Sequence, residues 1–185
     1  MSLLILGVCV FVGIHLVPSF PSLRQNFVDR LGEGAYKGGF ALFALVGLVI
    51  IVMGKASAEF VPIWQAPAWG RLVAMVVMLP VFILLAAANM PTNIKRFTRH
   101  PMLWGVALWS VSHLLANGDL ASLILFGSFG VFAGVGMWSA NLRGATKTDQ
   151  VFSVTNDVTV VVVGIVAYGI FLFLHPYLFG VPVIS

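Results

Sequence analysis

Apolar residues in this chain gather into runs that can cross about 30 Å of hydrocarbon at about 1.5 Å of rise per residue. Short polar stretches separate six such runs, at residues 2–19, 38–54, 71–89, 102–116, 120–140 and 158–177. The fourth is the shortest, and the turn NGD, Asn117 to Asp119, joins it to the fifth as a tight helical hairpin. The pattern predicts an all-α, polytopic integral membrane helix bundle with about six transmembrane helices. A single domain over residues 1–185 is expected, because no polar or low-complexity linker divides the chain. The first run, MSLLILGVCVFVGIH, has neither a basic start nor a small-residue cleavage pattern. It is therefore expected to be a helix of the mature protein rather than a signal peptide.

Composition agrees with a lipid setting, since 60% of the residues are hydrophobic and only 9% are charged. Positive charge then sets orientation, because short loops rich in Lys and Arg stay cytoplasmic. Eight of the ten Lys and Arg residues fall in the first, third and fifth loops, as Arg24, Arg30, Lys37, Lys95, Arg96, Arg99, Arg143 and Lys147; Lys55 and Arg71 flank the second. Both termini are thus expected on the periplasmic or exterior side. The net charge of +4 reports this topology and contact with anionic lipid. No basic patch interleaved with aromatic residues points to nucleic acid. Gly130 and Gly134 stand at GxxxG spacing and are expected at a helix–helix contact. Gly32, Gly34, Gly38 and Gly39 surround a loop, and Trp64, Trp69, Tyr168 and Tyr177 fit an aromatic belt, with Tyr168 also suited to core filling.

The chemistry has to come from the few polar groups inside the spans. All six acidic residues fall in loops or at helix edges, so no membrane segment carries a pair of carboxylates for a proton relay. The single cysteine, Cys9, leaves no disulfide framework or thiolate zinc site. Two of the four histidines, His15 and His113, lie within predicted spans. Such side chains usually face the bundle interior. His113 shares its helical face with Gly105, Trp109, Ser110 and Asn117, a stripe that suits a flat prosthetic group, while Val8, Phe11, Val12 and Ser19 flank His15. With the topology above, helical rise puts the two histidines within about 6 Å of each other in depth. Two imidazoles at one depth could be the axial ligands of a haem iron, with Trp109 and Ser110 beside them. The alternative is a pair of neutral histidines hydrogen-bonded to serine or to backbone carbonyls. Zinc is disfavoured because no third ligand clusters with them.

His100 precedes Pro101 at the expected start of the fourth helix, and His175 precedes Pro176 near the membrane interface. Arg24, Arg96, Arg99 and His100 all fall in odd-numbered loops. They are expected to form a basic site able to hold an anionic group, although a plain orientation signal explains the same residues.

GIHLVPSFPSLR (Gly13 to Arg24), RHPMLWGVALWSVSHLLANGD (Arg99 to Asp119) and FGSFG (Phe126 to Gly130) together resemble the NnrU family. These are bacterial inner-membrane proteins associated with nitrite and nitric oxide reduction. The family is similar to plant 15-cis-ζ-carotene isomerase, which holds haem b through histidines and isomerises a cis double bond with reduced iron. The resemblance implies that His15 and His113 stand where such ligands would come from, and that haem b is the cofactor. RHPMLWG also resembles a motif of isoprenylcysteine carboxyl methyltransferases that helps to bind S-adenosylmethionine, but Leu103 and Trp104 occupy the neighbourhood of its tyrosine, and no Glu follows Glu59.

Three functions therefore compete. One is a haem-dependent isomerase or oxidoreductase acting on an apolar small molecule. A second is an adenosylmethionine-dependent methyltransferase. The third is a non-enzymatic assembly factor for nitric oxide reductase components.

Overall fold

The structure, a computed structural model, describes residues 1–183. Among these residues all extended regular structure is helical: α1 (Ser2–Leu16), α2 (Pro21–Leu31), α3 (Glu33–Ala56), α4 (Gly70–Asn89), α5 (Ile94–Phe97), α6 (Pro101–Ala116), α7 (Leu120–Leu142) and α8 (Val154–Phe179). The helices group into two compact units, Met1–Val61 and Pro62–Ser185.

In the first unit α1 and α3 run antiparallel, and glycine allows their backbones to meet. Gly54 abuts Leu4, Gly7 abuts Ile51, and Gly47 abuts Phe11, where an added Cβ would lie 2.9 Å from the Phe11 nitrogen. Gly130 and Gly134, expected at a helix contact, divide: Gly130 faces Ser110 of α6, whereas Gly134 has open space around it. Spacing alone could not separate them, because every turn of an apolar helix has a face toward lipid. The loop after α1 is itself helical. Pro21 opens α2, and Gly32 closes it at φ 81°, in the left-handed region where glycine is unstrained. A 2.9 Å ion pair from Lys37 to Glu33 then joins the first turns of α3. Gly34, Gly38 and Gly39 consequently lie within that helix rather than around a loop.

In the second unit α4 packs against α6 and α8, and α6 packs against α7. Gly105 of α6 meets Leu85, Gly164 of α8 backs onto Ile83, and the Tyr168 hydroxyl donates to the Met75 carbonyl at 2.9 Å. The NGD turn is accounted for residue by residue. The Asn117 side chain donates to the His113 carbonyl at 2.8 Å. The Gly118 carbonyl accepts the N–H groups of Ile63 and Trp64, and a Cβ at Gly118 would collide with Trp64. Buried Asp119 caps α7 by accepting from Ser122 N at 3.0 Å and Ser122 Oγ at 2.5 Å.

The sorting of side chains is that of a protein in lipid. Thr92, Ser110, Ser112 and Ser122 are buried, while Leu42, Val76, Phe173 and many like them are exposed. Five helices are long and apolar enough to cross a membrane, and α6 is a shorter apolar helix. α6 nevertheless runs beside α7 from end to end. Three residues separate its end from the start of α7, and the Arg99 side chain just ahead of its start donates to Asn141 near the end of α7 at 3.0 Å. Since α7 is long and apolar enough to cross, its hairpin partner counts with it, and the architecture is that of a multi-pass membrane protein of about six spans.

Candidate functional site

His15 and His113 belong to different units and are held in the same way. His113 Nδ1 lies 2.9 Å from the Trp109 carbonyl oxygen, and His15 Nδ1 lies 2.7 Å from the Phe11 carbonyl oxygen, each four residues back along its own helix. A carbonyl only accepts, so in both rings Nδ1 carries the proton and the neutral ring's lone pair is on Nε2. That is the tautomer a metal takes, with the carbonyl fixing ring orientation from behind.

Aromatic rings line both positions. His15 stacks on Phe11 at 4.1 Å between centroids and meets the edge of Phe40 at 5.0 Å. His113 lies 4.7 Å from Phe126 and 5.5 Å from Trp109, whose indole meets Phe126 and Phe129 edge-on at 5.0 and 5.3 Å. Each imidazole, taken within its own unit, is anchored by a backbone carbonyl and bordered by aromatic rings, which is a form that a porphyrin iron accepts as ligand. His175 has a related contact, Nδ1 to the Val181 carbonyl at 2.8 Å, but it lies at the exposed end of α8.

Ser110, expected beside the cofactor, has its hydroxyl engaged between α6 and α7. Its buried hydroxyl donates to the Phe126 carbonyl and faces Gly130, so it serves the α6–α7 contact. Gly105 is likewise occupied by its contact with Leu85. Trp109 is the one residue of the expected stripe that lies against the His113 ring.

The four residues expected at an anion site are divided. Arg24 is in the first unit, with its guanidinium 5.7 Å from the Tyr36 ring centre. Arg96 is exposed on α5. Arg99 and His100 stay together. Arg99 Nη1 donates to Asn141 Oδ1 at 3.0 Å and His100 Nε2 lies 2.9 Å from the same oxygen, so Nε2 is the donor there. Both line a cleft of about 370 Å³ with Lys95.

A second polar cluster had no sequence signal beyond a carboxylate in the first turn of an apolar helix. Asp157 accepts from Thr92 Oγ1 at 2.6 Å, Asn93 N at 2.8 Å and Asn93 Nδ2 at 2.7 Å. Asn93 also brackets Phe152, donating to its carbonyl at 2.9 Å and accepting from its N–H at 3.0 Å. Thr92 is fully buried. These bonds tie the loop after α4 to the start of α8 and leave no group turned toward a substrate. The cluster is architectural.

No curated protein and no solved structure matches the chain. The family comparison does find a match, to the NnrU protein model over residues 3–183, which takes in both units, both span histidines and the RHP and NGD segments. With nearly its whole length matched, this helical membrane protein of about six spans belongs to the NnrU family.

Proposed function

We propose that this chain is a haem b protein of the bacterial inner membrane, with His15 and His113 as iron ligands and a redox or isomerase-like role linked to nitrite and nitric oxide reduction. The observation that supports it is the repeated anchoring of the two imidazoles. In each, Nδ1–H is donated to the carbonyl of an aromatic residue one turn earlier, which directs the lone pair to Nε2. Bound haem would supply a redox-active, Lewis-acidic iron to an apolar small-molecule ligand. The chain's own part is to hold and orient. Neutral imidazole places no charge in lipid, and Trp109, Phe126 and Phe129 give the His113 side an apolar aromatic border. The denitrification link rests on membership of the family, and nitric oxide reductase components are the corresponding partners.

The test is an absorbance spectrum of detergent-purified protein, oxidised and reduced, with haem counted per chain after expression under ample haem supply. A Soret band is expected. His15→Ala and His113→Ala should lose haem or change the spectrum, and His100→Ala and His175→Ala should match the wild type. Wild-type protein without haem overturns the reading. Binding of S-adenosylmethionine in its place would favour methyl transfer, and co-purification with a reductase subunit without any cofactor would favour an assembly role.

A further inference from the structure

The cleft beside Arg99 belongs to neither histidine position. It opens where α4 ends and α6 begins, with Lys95, Arg99, His100 and Thr148 on its polar side and Met102 and Leu103 on its apolar side. No carboxylate lines it, and neither Lys95 nor Arg99 has an ion pair among the described residues. Its two permanent cations are therefore not neutralised by the protein. We propose that this cleft binds the phosphate group of an anionic phospholipid, independently of whether haem is bound.

Asn141 prepares the site. A single amide oxygen collects Arg99 Nη1 and His100 Nε2, and Arg99 Nη1 also reaches the Ala145 carbonyl at 3.5 Å. These bonds hold the guanidinium by one nitrogen and leave its other donors for a ligand, in the geometry that suits a phosphate oxygen pair. The ordering is already done before a ligand arrives. Among the described residues the Lys95 ammonium has neither an ion pair nor a hydrogen bond, so it is available as a second charge. A volume of about 370 Å³ takes a headgroup and not a whole lipid.

The apolar side of the lining favours a lipid phosphate over a soluble one. Met102 is exposed and Leu103 continues the same helix into the apolar span. A phosphate seated against Arg99 would thus stand at the end of the hydrocarbon, with its acyl chains along apolar helix surface, where basic side chains meet anionic headgroups. A free phosphate ester would share the polar contacts and gain nothing from that side.

The experiment uses the full chain in neutral detergent, titrated with dioleoylphosphatidylglycerol or dioleoylphosphatidylcholine, and reads retained lipid by native mass spectrometry. Preferential retention of one phosphatidylglycerol is expected. Arg99→Gln and Lys95→Gln should each weaken it about tenfold, the scale of one lost charge-assisted contact. Arg96→Gln, outside the lining, should change it by less than about twofold. Arg99→Gln also cuts a tie to α7, so Lys95→Gln, which breaks no recorded side-chain bond, carries the test if the Arg99 variant misfolds. Equal retention of the two lipids, or an Arg96→Gln loss as large as that of Lys95→Gln, overturns the proposal. Displacement of phosphatidylglycerol by inorganic phosphate at a concentration comparable to the lipid's overturns the lipid as source.

Discussion

His113 and Trp109 stand one helical turn apart in α6, and the imidazole Nδ1 lies 2.9 Å from a Trp109 carbonyl oxygen that also accepts Ser112 Oγ at 3.0 Å. The anchor of the histidine is thus backbone, while the ring beside it is side chain. His15 repeats the arrangement on the Phe11 carbonyl at 2.7 Å. The two contributions of residue 109 can therefore be separated by substitution.

Trp109→Phe keeps the carbonyl and a flat ring, and should keep haem content near the wild-type value. Trp109→Ala keeps the carbonyl but removes the wall that meets Phe126 and Phe129, and should retain haem only partly. His113→Ala should lose most of it. Haem per chain, measured on the three purified variants, gives the ranking. If Trp109→Phe is as empty as His113→Ala, the indole itself is the determinant and the backbone anchor is not.

Glycine positions give a contrast that sequence spacing does not. Gly54 meets the Leu4 backbone, so Gly54→Ala should overpack the α1–α3 contact and cost roughly 1–3 kcal/mol. Gly134 has nothing within 4 Å, so Gly134→Ala should be neutral or stabilise by up to about 1 kcal/mol through helix propensity. Thermal unfolding in one detergent should put the two variants on opposite sides of the wild type, or Gly134→Ala level with it. A Gly134→Ala loss equal to that of Gly54→Ala would mean that a further surface packs there.

The spans were legible because lipid imposes one simple demand, an apolar run of sufficient length, and the six expected runs each lie on an observed helix, the first running on past α1 into a 3-10 turn at Val17–Ser19. α2 was not, since an eleven-residue helix with Leu23, Phe27 and Leu31 on one exposed side reads in sequence as a polar loop. Ser110 shows why the site was only partly readable. The i, i+3, i+4 rule put it on the His113 stripe, but a stripe on one helix does not say which neighbour covers each part, and α7 claims this hydroxyl through Phe126. The basic residues were counted correctly for charge and grouped only in part. Asn141, forty-two positions from Arg99, is what gathers Arg99 and His100, and no local pattern announces a pairing at that distance.

The Ser110 contact is itself testable. Ser110→Ala removes one interhelical hydrogen bond and should cost about 0.6 kcal/mol, the typical value for such a bond between membrane helices. Haem content should stay at the wild-type value. A Ser110→Ala variant that folds normally and loses haem would return the hydroxyl to the cofactor's surroundings.

Asn93 should matter more than its place in a loop suggests. It exchanges hydrogen bonds with both backbone groups of Phe152 and with the Asp157 carboxylate, so Asn93→Ala unties α8 from the loop after α4 at several points together. Its unfolding temperature should fall by several degrees. Asn156→Ala, which removes a single exposed 3.3 Å contact to Ser153, should leave it nearly unchanged. Equal unfolding temperatures for the two variants would show that the cluster does not hold the second unit together.

Orientation is the remaining expectation, and α6 decides it. If only the five long helices crossed, the termini would lie on opposite sides; with α6 crossing as the partner of α7, they lie on the same side. The contacts at the far end of that hairpin agree, because Arg99 reaches Asn141 and the Thr148 N–H donates to the Lys95 carbonyl at 3.3 Å, which puts the third and fifth basic loops at one end of the unit. Five of the eight loop cations are in those two loops, so positive charge should hold that end in the cytoplasm and both termini in the periplasm. Alkaline phosphatase fused to the C-terminus should be active, and green fluorescent protein fused there should be dark. Fusions within the loop after α7 should behave the other way. A fluorescent, phosphatase-negative C-terminus together with a phosphatase-active loop after α7 would invert the orientation. A fluorescent C-terminus with a phosphatase-active N-terminus would instead reduce the crossings to an odd number and remove α6 from the spans.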